Sequence, residues 1–282
     1  MEYSKQLTKL GTETAFAVSA KARAWAEKGN KVYPFHLGDF NLPTPNNIVE
    51  ATLKGIKDGK TGYCPSEGIF SLREALANDV GSKRGVNYLP DNVSVQPGGK
   101  PTIGKFIASV MNPGDEVLYP NPGYPIYESQ IEYQGGLAIP YNYITSDDGF
   151  DIDIDHLKAS ITDKTVAILA PNLLGNLCQW DKISEIAKKH NLKVIEDAAH
   201  AFGTTFNNKR VGSFGDIACF SFDGIKNITS GEGGAILSSD IEFIQKIKDA
   251  RLLGVEKDTE KRFKGQRSWD FDVTGQGWRY HM

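Results

Sequence analysis

One lysine in this sequence stands where carbonyl chemistry can be done. Lys226 lies in the run Phe220-Ser221-Phe222-Asp223-Gly224-Ile225-Lys226-Asn227-Ile228-Thr229-Ser230-Gly231-Glu232-Gly233-Gly234-Ala235, where an apolar, strand-like segment gives way to a glycine-rich turn. Packed aromatics and close-turning backbone bury such an amine in part. Burial and neighbouring cations lower its pKa, so that the neutral form can condense with a carbonyl to an imine. A surface lysine beside a hairpin turn is the competing description. A second segment, Val194-Ile195-Glu196-Asp197-Ala198-Ala199-His200, bears on the choice: it ends an apolar run with an acid and, three residues on, a histidine.

These groups need a scaffold that brings them together, and the surrounding pattern supplies one. Residues 165–170 form a buried apolar run, 181–190 a helix with Ile183, Ile186 and Ala187 inward, and 192–196 a second strand. That is a β-α-β unit, whose right-handed crossover makes the strands parallel. Functional residues in such sheets collect beyond the carboxyl ends of the strands. Residues 172–176 and 197–200 lie there, and the turn after the next strand can deliver Lys226 to the same crevice.

Further upstream the pattern predicts helices over 12–28, 46–57 and 69–84, with a short strand over 32–37. A strand over 93–96 runs into Pro97-Gly98-Gly99-Lys100-Pro101, and a helix over 102–111 follows. Glycines between a strand end and a helix start let backbone N–H groups point at an anion, which the helix dipole also favours. Strands are expected at 116–119 and 137–141, a polar stretch over 142–151, and a helix capped by Asp153 through 161. Tyr124 follows the 116–119 strand and can stack on a planar ring; Tyr127 and Tyr133 compete for that duty.

The chain has 282 residues, 40% of them hydrophobic, enough for a substantial core. A net charge of −3 and a pI of 6.0 argue against a nucleic-acid or anionic-membrane partner. The sequence shows neither a signal-peptide core at its start nor an apolar run of membrane-spanning length. Cys64, Cys178 and Cys219 are odd in number and far apart, and read as buried thiols in a reducing cytosol. The five histidines lack metal-ligand spacing, so no metal is expected. A nicotinamide-binding Rossmann protein is disfavoured, because no Gly-x-Gly-x-x-Gly follows a strand.

With these residues in view, the chain resembles the fold type I, pyridoxal 5'-phosphate (PLP)-dependent aminotransferases. Residues 165–282 are similar to the DegT-type, nucleotide-sugar branch: Asp197 and His200 close a strand, and Ser221, Lys226 and Gly231 to Gly234 keep that branch's order. Residues 12–141 resemble the class I, aspartate-aminotransferase-like branch. The resemblance implies an α/β fold, a three-layer α/β/α large domain with a mostly parallel sheet, and transfer of an amino group from an amino acid to an oxo acid or keto-sugar. It implies that Lys226 carries the cofactor as a Schiff base and that Asp197 faces the pyridine nitrogen. His200 and Tyr124 would attend the ring, Gly99, Lys100 and Ser221 the phosphate, and Tyr63 would reach the phosphate across a homodimer interface. For Tyr63 a loop-packing role stands equally open. The resemblance also implies a cytoplasmic enzyme of small-molecule substrates, with no nucleic-acid or membrane partner.

Two features depart from the pattern. The arginine that class I enzymes place after the lysine is replaced by Asn227-Ile228-Thr229-Ser230, and Arg279 stands where DegT-type sequences usually carry asparagine. The changeover between branches falls within 142–164. The expected division is an amino-terminal arm over 1–45, a PLP-binding domain over 46–270, and the start of a smaller carboxy-terminal domain over 271–282. Both branches continue beyond that point, so the sequence as it stands is expected to expose Trp269, Phe271 and Trp278, to bind PLP weakly and to transaminate poorly or not at all. A PLP-dependent sugar dehydratase and a non-catalytic PLP-binding protein are the alternatives; Lys226 disfavours the dehydratase, whose relatives carry histidine there. Glu196 is expected to matter far less to turnover than Asp197.

Overall fold

The computed structural model describes residues 5–9, 14–36, 38, 42–62, 64–82, 85–146 and 149–251. Tyr63, Arg279, the exposed aromatics expected at 269–278 and the domain start expected at 271 lie outside the described residues.

The strands in chain order are β1 (Val93–Gln96), β2 (Glu116–Asn121), β3 (Leu137–Ser146), β4 (Gly149–Ile152), β5 (Thr165–Pro171), β6 (Lys193–Asp197), β7 (Thr205–Phe206), β8 (Lys209–Arg210), β9 (Ile217–Ser221) and β10 (Gly234–Ser238). The helices are α1 (Thr14–Ala26), α2 (Asn46–Lys57), α3 (Phe70–Ser82), α4 (Gly99–Val110), α5 (Ile126–Tyr133), α6 (Ile154–Ala159), α7 (Trp180–His190) and α8 (Ile241–Arg251). Eight strands make one sheet in the order β1-β10-β9-β6-β5-β2-β3-β4, while β7 and β8 pair separately. The run β9, β6, β5, β2, β3 is parallel; β10 lies antiparallel between β1 and β9, and β4 antiparallel on β3. This is the mostly parallel α/β sheet expected from the sequence.

Side chains alternate across the strands, so each strand feeds both faces. On β9, Ile217 and Cys219 join α4, α5 and α8 through Ile103, Phe106, Tyr127, Ile131, Ile244 and Ile247. Ala218 and Phe220 on the other face join α3 through Leu76, Ala77 and Val80. Further along that second face, Trp180, Ile183 and Ile186 of α7 and Leu157 of α6 cover β5 and β6. Helices therefore cover both faces, which is why β5 and β9 are near-continuous apolar runs instead of alternating ones. Asp153 caps α6 as expected, accepting the His156 N–H at 2.9 Å.

The structure departs from the sequence pattern in places. Residues 31–34 form no strand. Helix α4 starts three residues earlier than its apolar spacing suggests, because Pro101 is tolerated in a first turn, where its missing N–H costs nothing. The polar stretch after residue 142 continues β3 and folds back as β4, a ribbon with one wet face.

Candidate active site

The predicted residues gather along one edge of the sheet, at the carboxyl ends of parallel strands. Asp197 ends β6, Ser221 ends β9, Gly98 and Gly99 follow β1, and Tyr124 follows β2. Lys226 lies on the loop joining β9 to β10, and His200 three residues past β6.

Lys226 and His200 meet. Lys226 Nζ and His200 Nε2 are 2.7 Å apart, each half-buried. Burial is the largest influence lowering the Lys226 pKa; Lys100 adds to it, and the charges of Asp223 and Asp197 oppose it. Burial also lowers the His200 pKa, followed by the Lys226 charge, with Asp197 opposing. The pair thus favours a neutral imidazole beside an amine that gives up its proton more readily than a surface lysine.

Asp197 is buried, and both carboxylate oxygens are held. Oδ2 accepts from the Tyr127 hydroxyl at 2.6 Å, and Oδ1 from the Ala199 N–H at 2.9 Å. The preceding residue projects to the opposite face. Glu196 is fully buried and accepts from the N–H groups of Gly212 at 2.6 Å, Phe214 at 2.9 Å and Gly215 at 3.2 Å, and from Asn172 Nδ2 at 3.1 Å. Asn172 Oδ1 in turn accepts from Trp180 Nε1 at 3.1 Å. These bonds tie the ends of β5 and β6 to the loop before β9.

A cradle stands on the other side of the crevice, where β1 turns into α4. Gly98 has φ 129°, a conformation that glycine adopts without strain, and its carbonyl accepts from both the N–H and the hydroxyl of Thr102. Gly99 is pressed against Ser221: a Cβ on Gly99 would lie 2.8 Å from Ser221 Cβ and 3.1 Å from its Oγ. Gly99 and Lys100 thus open a helix beside Ser221, and such a helix start is suited to an anion.

Tyr124 is partly exposed and packs edge-on against Tyr127, ring centres 5.8 Å apart. Tyr63 lies outside the described residues. The structure thus joins Lys226 with His200, Ser221 with Gly99, and Asp197 with Tyr127. Sequence reasoning had Tyr127 only as a competitor of Tyr124 for ring stacking, and left Glu196 and Asn172 without a role. Alternation along β6 could have placed Glu196 and Asp197 on opposite faces, but their partners arrive through tertiary contacts. Among the described residues, no group of three or more His, Cys, Asp or Glu side chains could hold a metal ion, and no helix is long and apolar enough to cross a membrane.

The sequence profile of the DegT/DnrJ/EryC1/StrS aminotransferase family matches residues 104–282. GDP-perosamine synthase of Caulobacter vibrioides is 39% identical over 174 residues, covering 62% of this chain and 44% of that protein. A probable aspartate/prephenate aminotransferase of Aquifex aeolicus is 30% identical over 232 residues, covering 80% of this chain and 57% of its own length. Among solved structures, alanine aminotransferase from Pyrococcus furiosus superposes with a TM-score of 0.77 at 27% identity, covering 88% of this chain and 67% of that one. An aspartate aminotransferase double mutant from Thermus thermophilus, at 23% identity and the same coverage, gives a TM-score of 0.78 and shares the fold. The chain spans 44% and 57% of the two curated relatives named here.

The residues present fit the cofactor that such enzymes use. A lysine amine with a lowered pKa, a buried carboxylate with both oxygens anchored, and a glycine-built anion cradle all open on the same sheet edge.

Proposed function

We propose that this chain, which belongs to the DegT/DnrJ/EryC1/StrS aminotransferase family, carries the catalytic centre of a PLP-dependent aminotransferase, with Lys226 as the lysine that holds the cofactor. The observation that carries this reading is the Lys226–His200 pair at 2.7 Å, on the edge where the Asp197 carboxylate and the α4 cradle also open. When bound, PLP supplies an aldehyde carbon for amine capture and an electron-withdrawing ring.

Each residue then has a task. Lys226 Nζ, kept neutral more readily by burial, would hold the cofactor through its aldehyde carbon with loss of water, and once displaced by an amino donor would carry the proton taken from the donor α-carbon. His200 Nε2 orients that amine and attends one side of the ring, with Tyr124 as the stacking residue. Asp197 holds a proton on the pyridine nitrogen. The N–H groups of Gly99 and Lys100, with the Ser221 hydroxyl, hold the phosphate. Gly99 is required there because any side chain would collide with Ser221.

The acceptor is an oxo acid or a keto-sugar; the relatives include a GDP-perosamine synthase and a probable aspartate/prephenate aminotransferase. The active form is read as a cytoplasmic homodimer. Support for the compartment comes from the cysteines, all three of them thiols, with Cys178 and Cys219 buried.

Transfer of an amino group is the test. The chain loaded with PLP is mixed with L-glutamate or L-alanine in single turnover, and release of the corresponding oxo acid is followed. The reading expects a slow release of oxo acid that is absent from Lys226→Ala. Oxo acid formed equally by Lys226→Ala would overturn the assignment.

A further inference from the structure

We propose that Tyr127 is a positioning residue for the cofactor ring, its hydroxyl fixing the Asp197 carboxylate in the orientation that meets the pyridine nitrogen. The proposal rests on the reading above, that this crevice takes PLP.

Tyr127 is on α5, which packs on one face of the sheet, and Asp197 ends β6 with its side chain on that same face. The hydroxyl donates to Oδ2 at 2.6 Å, within the short range of O–H donors on carboxylates. The tyrosine is 3% exposed and the aspartate 6%, so water does not compete for the contact. The Ala199 N–H holds Oδ1 from the chain's own turn at 2.9 Å. The terminal torsion of an aspartate is broad and roughly two-fold, and a single anchor leaves the carboxylate plane poorly fixed. Two anchors from different elements fix it, and each oxygen keeps lone-pair capacity for another donor.

The phenol is suited to a permanent donor role. Burial, then the Asp197 charge and the hydrogen bond to it, raise its pKa well above the ordinary value, with smaller contributions from Tyr141 and Tyr143. Tyr141 is committed elsewhere, donating to the Leu169 carbonyl at 2.7 Å. Tyr124 packs edge-on to Tyr127 and leans out to the partly exposed side. The two neighbouring tyrosines therefore divide the work: Tyr124 is available to a ring face, and Tyr127 clamps the acid.

The test uses the full chain loaded with PLP carrying nitrogen-15 in its ring. Wild type comes first: borohydride either fixes the cofactor on Lys226 or does not. Failure there ends the PLP reading and this proposal with it. Given fixation, Tyr127→Phe keeps the ring and deletes only the hydroxyl. The ring-nitrogen shift then moves toward the unprotonated value, and the cofactor dissociation constant rises about ten- to a hundredfold. Neither change appears when Tyr127→Phe is added to Asp197→Asn, because the tyrosine acts through that carboxylate. An unchanged shift and affinity in Tyr127→Phe, or the same changes in the Asp197→Asn background, would overturn the proposal and leave the PLP reading standing. If Tyr127→Phe does not fold, a ring-fluorinated tyrosine at position 127 keeps the contact but strengthens the donor. Its nitrogen shift must move, and an unmoved shift overturns the proposal.

Discussion

Lys226 Nζ sits 2.7 Å from His200 Nε2, an amine against an imidazole, with burial as the first cause lowering the pKa of each. The sign of the consequence follows directly. Protonated amine does not react, and the neutral fraction rises with pH, so a lowered pKa moves the reactive range down from the ordinary 10.5. Competitive labelling of lysines across pH, without cofactor, should give Lys226 a midpoint below that of the exposed lysines. His200→Ala admits water beside the amine and should move the midpoint back up. Equal midpoints for Lys226 and exposed Lys158 would contradict the reading.

The cradle makes a second prediction. Gly99→Ala places a Cβ 2.8 Å from Ser221 Cβ, so backbone or Ser221 must shift. Binding of PLP should weaken by about ten- to a hundredfold, a loss of one or two charge-assisted hydrogen bonds. Pyridoxal, which lacks the phosphate, should lose little. Titrating both compounds into wild type and variant separates a damaged phosphate cradle from a damaged fold.

Glu196 makes a third, on stability. Glu196→Ala strands the N–H groups of Gly212, Phe214 and Gly215 and the Asn172 amide in a buried site. Each unsatisfied buried group costs about 1–3 kcal/mol, so with four of them a destabilisation of at least about 4 kcal/mol is expected in urea titration. Asp197→Ala strands fewer donors and should cost less stability while doing more harm to turnover. The sequence alone suggested that Glu196 was the minor of the two acids. For chemistry that remains the expectation, but for folding the order is reversed.

How much was visible beforehand follows the range of each signal. The β5-α7-β6 unit was legible because its apolar periods are local and strong. So was the crevice, because Asp197 and Lys226 follow strands whose parallel order the crossover dictates. Helix α5 was missed: it is 8 residues long, and its start, Pro125-Ile126-Tyr127, reads as an aromatic loop. With it went the Tyr127–Asp197 contact, which joins positions 70 apart in sequence. The β3–β4 ribbon was missed because Tyr143, Ile144 and Phe150 are interspersed with polar residues and a glycine over a short stretch, which resembles a loop.

Lys105 makes a fourth prediction, away from the crevice. It is buried on α4, donates to Gln96 Oε1 at 3.0 Å, and its pKa is lowered to about 7, first by burial and then by the Arg251 charge. Between that value and the unfolded 10.5, the unfolded chain binds the extra proton. Native stability should therefore rise with pH through this window as far as this group is concerned. Lys105→Met removes that component, so urea midpoints between about pH 7 and 9 should depend less on pH in the variant. An unchanged slope would contradict the buried-amine description.

The central claim is that Lys226 is the lysine that holds the cofactor, and peptide mapping tests it most directly. The chain is incubated with PLP, reduced with borohydride, digested, and the labelled peptide sequenced. The account predicts one dominant label, on Lys226, which disappears in Lys226→Ala although phosphate affinity is retained. A dominant label on Lys100, Lys105 or any other lysine, or label persisting at full yield in Lys226→Ala, would contradict it.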